Sequence, residues 1–218
     1  SDTSNSMLGM KNLASLYIEW GFGLPKFPRL GNNSAMVSLT LWGHSITCIQ
    51  PADLYPLQSL KYLTMTYGQK RIDTFFQYLF ILKRIVRIRF RAHVISGTVI
   101  MPGNFSTLQS LSIGTCRLSK FPSLIGYFPA LKFLDLSSNA LSSVSSCDLE
   151  HLASLEHLIL SGNKLTVLPD VAVLSDTLTL LSLKRNPLPA ISHADIQTLN
   201  GLTVSLEDTP ALSYLART

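Results

Sequence analysis

The chain has 218 residues, 46% hydrophobic and 14% charged, with eighteen Lys and Arg against thirteen Asp and Glu. No stretch reaches the roughly 18 apolar residues that a membrane span needs, and no low-complexity tract or acidic tail interrupts the pattern. The net charge of +5 is uneven: residues 1–109 hold eleven Lys/Arg against four Asp/Glu (+7), residues 110–218 seven against nine (−2), so the first half suits an acidic partner surface.

Taken in chain order, the first predicted element is a strand in LASLYIEWGFG, which starts at Leu13. MVSLTLWGHSI at Met36 and LKYLTMTYGQK at Leu60 repeat its spacing. Asp73 to Leu82 (DTFFQYLFIL) then predicts about two to three helical turns packed on a core, with Phe80 or Ile81 left for solvent. IVRIRFRAHVI follows at Ile85 and LQSLSIGTCRL at Leu108. The pattern is cleanest in LKFLDLSSNAL at Leu131, LEHLILSGNKL at Leu155 and LTLLSLKRNPL at Leu178. A worn last copy places Gly201 in the first slot, with Val204 and Leu206 behind it.

The copies at Leu131, Leu155 and Leu178 read L-x-x-L-x-L-x-x-N-x-L, the others follow its spacing less strictly, and the starts at 13, 36, 60, 85, 108, 131, 155, 178 and 201 are 23 to 25 residues apart. Alternate side chains of a strand share a face. Slots four and six therefore point into a core, and slots five and seven point away from it. One short strand cannot bury its inner row alone, so neighbouring copies must stack. Slot nine turns the chain, and an Asn amide there can bond the backbone groups that the turn leaves free. That slot reads Gly21, His44, Gly68, His93, Cys116, Asn139, Asn163 and Asn186. The polar ladder is thus complete only toward the C-terminus.

This motif and period resemble the leucine-rich repeat family over most of the chain. The resemblance implies an α/β solenoid: a horseshoe with a parallel concave β-sheet and short helical or 3₁₀ turns or loops on the convex side. It implies one domain over residues 1–218 with about nine repeats. It also implies a non-enzymatic protein-binding module, usually binding through the concave face.

The register assigns the outward residues. Tyr17, Trp20, Trp42, Tyr62 and Tyr67 lie beside Arg87, Arg89 and Arg91 in the first four copies. Tyr, Trp and Arg are the types enriched at interface hot spots. The partner expected on this reading is a protein with an acidic surface. The plainer alternative has the aromatics covering neighbouring strands and the arginines forming a solvated face. Sulfated glycan or anionic lipid are the other ligands that suit the basic half, and nucleic acid suits it less because lysine clusters are sparse.

No hydrolase elbow, zinc-protease helix, phosphate-binding glycine loop or paired Cys/His zinc set occurs, so no catalytic residue, metal or cofactor is assigned. His44 and His93 share slot nine two copies apart. At about 5 Å per copy their rings are expected some 10 Å apart, too far to share a metal. Cys48, Cys116 and Cys147 form no C-x-C or C-x-x-C pair and are expected as free buried thiols. Asn32 and Asn104 open N-x-[ST] sequons, possible glycosylation sites of modest specificity. The chain starts with Ser and reads as a mature or excised fragment. The period resembles extracellular repeats, so a cell-surface or secreted setting is expected, with a cytoplasmic scaffold as the alternative.

Overall fold

In the computed structural model the described residues are 12–19, 25–31, 33–68, 73–95, 104–189 and 191–211. They form one sheet of nine parallel strands, each paired with the next in sequence. The strands are β1 (Ser15–Glu19), β2 (Ser38–Trp42), β3 (Tyr62–Thr66), β4 (Arg87–Arg91), β5 (Ser110–Gly114), β6 (Phe133–Asp135), β7 (His157–Ile159), β8 (Leu180–Ser182) and β9 (Thr203–Ser205). The register is uniform: Leu39 faces Leu63, Leu63 faces Ile88, Ile88 faces Leu111, and so on to Val204. The architecture is the open α/β solenoid anticipated from the repeat.

The slot pattern explains the core. Slots four and six are buried in the second to eighth copies, from Leu39 and Leu41 to Leu181 and Leu183. Slot eleven follows them inward at Ile46, Ile95, Leu118, Leu141, Leu165, Leu188 and Ala211. The return segments close the layer with short elements, Pro51–Leu54, Asp73–Gln77, Ser123–Tyr127, Ser146–Leu149, Ala172–Leu174 and His193–Thr198 among them. The first five of these send apolar side chains inward, Leu54, Phe75, Leu124, Leu149 and Leu174 among them.

Carboxylates three residues into several returns fix their starts. Asp53, Asp148 and Asp195 accept the backbone N–H groups of Gln50, Ser145 and Ser192 at 2.7, 2.9 and 2.7 Å. The helical run predicted over 73–82 is two pieces, Asp73–Gln77 and the 3₁₀ turn Leu79–Ile81. Phe75 and Phe76 pack edge-on against Phe90 of β4, Ile81 is buried and Phe80 is exposed.

The turn after each strand has a strict geometry that the repeat motif does not display. Slot eight adopts a positive φ in the second to ninth copies: Gly43, Tyr67, Ala92, Thr115, Ser138, Gly162, Arg185 and Asp208, all between 55° and 68°. Only two of these are glycine, although the left-handed region disfavours a Cβ. The gain is a continued ladder. The N–H of slot eight donates to the slot-seven carbonyl of the next copy, from Gly43 to Thr66 through Arg185 to Glu207.

Slot nine then seals the core edge. Asn163 donates to Leu136 O and Leu160 O and accepts from the Leu141 N–H, at 2.9–3.1 Å. Asn186 repeats those contacts one copy on, and Asn139 one copy back. Thr209 holds the slot in the ninth copy and donates to Leu206 O at 2.7 Å.

The thiols differ from expectation. Cys116 is buried, in the slot-nine ladder, but Cys48 and Cys147 are exposed on return segments, where the chain faces solvent between its apolar anchors. All three are free.

Candidate functional site

The open face of the sheet carries the residues of slots three, five and seven. Three parallel rows result. Slot three runs Ser38, Tyr62, Arg87, Ser110, Phe133, His157; slot five runs Tyr17, Thr40, Thr64, Arg89, Ser112, Asp135; slot seven runs Glu19, Trp42, Thr66, Arg91, Gly114. The uniform register brings most of the sequence-predicted residues onto one surface.

Tyr17, Tyr62 and Tyr67 are 61%, 42% and 39% exposed, which is uncommon for clustered large rings. Trp42 is half-buried because its ring meets Tyr67 edge-on, with centroids 5.1 Å apart. Tyr17 donates to Glu19 at 3.2 Å. Arg87, Arg89 and Arg91 are all exposed, since alternation sends every second residue of β4 outward while Ile88 and Phe90 go to the core. Trp20 and Asn32 lie outside the described residues. Asn104 is exposed. Thr66 and Ser112, in outward slots, are nonetheless buried because taller neighbours flank them.

Charge pairing divides the surface. In the C-terminal half, cations meet carboxylates from copy to copy: Lys132 with Glu156 at 2.7 Å, Lys184 with Glu207 at 2.8 Å, Arg185 with Asp208 at 3.1 Å. The Lys132 ammonium holds the Glu156 carboxyl below its ordinary pKa. Among the described residues no carboxylate pairs with Arg87, Arg89 or Arg91. Their lateral neighbours are Tyr62, Thr64 and Thr66 on one side and Ser110, Ser112 and Gly114 on the other.

A hollow of about 520 Å³ opens beside this row, over β4 to β7. Its walls are Arg87 and Arg89 on one side and Lys132, Phe133 and His157 on the other, with Ser110 and Ser112 as its floor. The outward register contained all these residues. It did not reveal the hollow, because depth comes from small side chains lying between long ones.

The expectation for His44 and His93 is corrected. Their ring centroids are 5.1 Å apart, not some 10 Å. Gly68 occupies the intervening slot, and with no side chain there the two rings close over it. A Cβ at Gly68 would overlap the His93 ring and lie 2.8 Å from Cε1 of His44. His93 takes the Asn role, its Nε2 lying 3.2 Å from Met65 O, the slot-six carbonyl of the preceding copy. His44 accepts the Ile46 N–H at 3.2 Å through Nδ1, which leaves Nε2 protonated and unable to ligate a metal in this pose.

Among the described residues no group of three His, Cys, Asp or Glu stands close enough to hold a metal, and no helix is long and apolar enough to cross a membrane. Burial pushes the Cys116 thiol up to about 11, far from a reactive thiolate.

Residues 106–165 match the family model for the leucine rich repeat. No curated protein matches the chain. Among solved structures it is similar to an internalin of Listeria monocytogenes, at 21% identity and TM-score 0.62 over 94% of this chain and 64% of that one. It is similar to TLR13 in a complex with ssRNA13, at 16% identity and TM-score 0.63, over 81% of this chain and 26% of that one. It is also similar to the plant peptide hormone receptor RGFR1 in complex with RGF2, at 20% identity and TM-score 0.57, over 92% and 33%. At these identities the likeness is one of fold, and the chain spans less than two thirds of each of these structures. Residues 106–165 thus match the leucine rich repeat model, and the nine stacked parallel strands give the described residues the same solenoid fold as these structures.

Proposed function

We propose that residues 1–218 act as one non-enzymatic module that binds a protein ligand through the open face of β1 to β4. The ligand surface is acidic. The observation that carries this reading is the contrast in charge pairing on the outward slots: the arginine row of β4 lacks carboxylate partners among the described residues, while Lys132, Lys184 and Arg185 of the sixth and eighth copies have theirs. Desolvating an arginine without a partner is costly, so such a row is suited to carboxylates brought by another molecule. Tyr17, Tyr62 and Tyr67 add ring surface beside it.

The module is proposed to belong to the extracellular part of a cell-surface or secreted protein. Glycan on Asn32 or Asn104 of native material, read by mass spectrometry, would support that setting. Bare sequons would favour the cytoplasmic scaffold.

The test of the binding face is the affinity of a captured partner for Arg87→Glu plus Arg89→Glu. A loss of about tenfold or more, with weaker salt dependence, is the expected result. Unchanged affinity and unchanged salt dependence would remove the proposal. A steep power-law loss of affinity with salt in the parent chain would instead point to nucleic acid or sulfated glycan.

A further inference from the structure

The hollow over β4 to β7 narrows the proposed reading, on which it rests, to a particular ligand chemistry. Its position is set by residue size. The fourth copy presents Arg87 and Arg89, the fifth presents Ser110 and Ser112, and the sixth presents Phe133 and Asp135. Two small residues of β5 between taller ones on β4 and β6 leave a trench that is one strand wide.

The walls are chemically unlike. On the β4 side, two guanidinium groups stand on alternate residues of one strand. On the far side one carboxylate is neutralised by a cation and the other is hydrogen-bonded by neutral donors. Asp135 accepts from Ser112 Oγ at 2.8 Å and from the Ser137 N–H at 2.9 Å, and Glu156 accepts from Lys132 at 2.7 Å. Phe133 and His157 meet edge-on with centroids 6.0 Å apart and remain half-exposed, so they supply an apolar lip. The trench therefore offers two arginines without carboxylate partners on one wall and ring surface on the other, with the Asp135 carboxylate in its lining turned to Ser112 and the Ser137 N–H.

Spacing selects the ligand. Alternate residues of a strand repeat at roughly 6.7 Å. An extended segment with carboxylates on alternate residues has the same repeat, so both can meet both arginines in one pose. Arg guanidinium also matches a carboxylate with two parallel hydrogen bonds. We propose that this trench is the anchoring subsite for an extended peptide segment of the partner, one that carries acidic side chains on alternate residues and an apolar side chain against Phe133.

The probe is a capped, dye-labelled dodecapeptide alternating glutamate with threonine and carrying one central phenylalanine, read by fluorescence polarisation on the full chain at physiological salt. It is expected to bind, while its glutamine counterpart does not. Arg87→Gln with Arg89→Gln should weaken binding about tenfold or more. Ser110→Trp, which plugs the trench without changing charge, should do the same, with Ser110→Gln as a smaller plug should the Trp variant melt early. Val173→Ser, on the helical side, should leave binding unchanged.

Three results would overturn the subsite: no binding by the glutamate probe, undiminished binding after plugging, or preference of about tenfold for a phosphoserine or sulfotyrosine peptide of the same spacing. If a plugged chain still holds its partner and loses it on Tyr62→Ala or Arg91→Glu, the wider face stands and only the trench is wrong.

Discussion

Gly68 is the residue on which the first half of the solenoid turns. Its φ is not left-handed, so its role is spatial: its missing side chain admits the His44 and His93 rings. Gly68→Ala is expected to destabilise the chain by about 1–3 kcal/mol through overpacking, seen as a lower urea midpoint. A midpoint equal to the parent's would show that the rings move aside. The same pair gives a pH dependence. Burial first, and His93 second, push the His44 imidazole from 6.5 down to about 4. Above about pH 6.5 the ring is neutral whether folded or unfolded and adds no slope. As pH falls toward 4 the unfolded chain takes the proton first, so stability declines, by roughly 3 kcal/mol once below both values. Urea melts at pH 7 and pH 5 should differ in the parent and differ less in His44→Asn.

Among elements, the turns after the strands deserve comparison copy by copy. Where slot nine is Asn, the amide gathers the slot-six carbonyls of two copies, and the strands of the sixth to eighth copies are three residues long. In the second to fourth copies, which lack that amide, five residues stay in the ladder. Asn163→Ala would strand the Leu141 N–H and the Leu136 and Leu160 carbonyls in a buried edge. A loss of about 2–4 kcal/mol in urea unfolding is expected, and a loss under about 1 kcal/mol would mean water replaces the amide.

The strand starts, the inward slots and the Asn contacts were all legible, because each depends on residue type at a fixed spacing. Two things were not. The approach of His44 to His93 depends on what an intervening residue lacks, and the trench depends on the relative heights of Arg89, Ser112 and Asp135. Neither is a property of one position, and the first four copies, where Gly and His replace Asn, look irregular in sequence while β2 to β4 keep full register.

At the scale of the whole molecule, the +7 of the first 109 residues lies on the same copies as the arginine row, and the −2 of the remainder lies where Lys132, Lys184 and Arg185 already have carboxylate partners. An acidic partner is thus drawn to one end before any contact forms, and adding salt should lower the association rate much more than it raises the dissociation rate. Stopped-flow mixing with the captured partner would show it; equal effects on both rates would argue against steering.

The contact across Gly68 also bears on how the solenoid comes apart. In a stack whose copies touch only their nearest neighbours, ends fray one copy at a time. A ring pair that reaches over a copy makes the third copy a clasped one: it cannot peel away until His44 and His93 separate. The second, third and fourth copies then melt as one cooperative block, and the amides of Leu39, Leu63 and Ile88 should exchange their hydrogens with a common opening free energy.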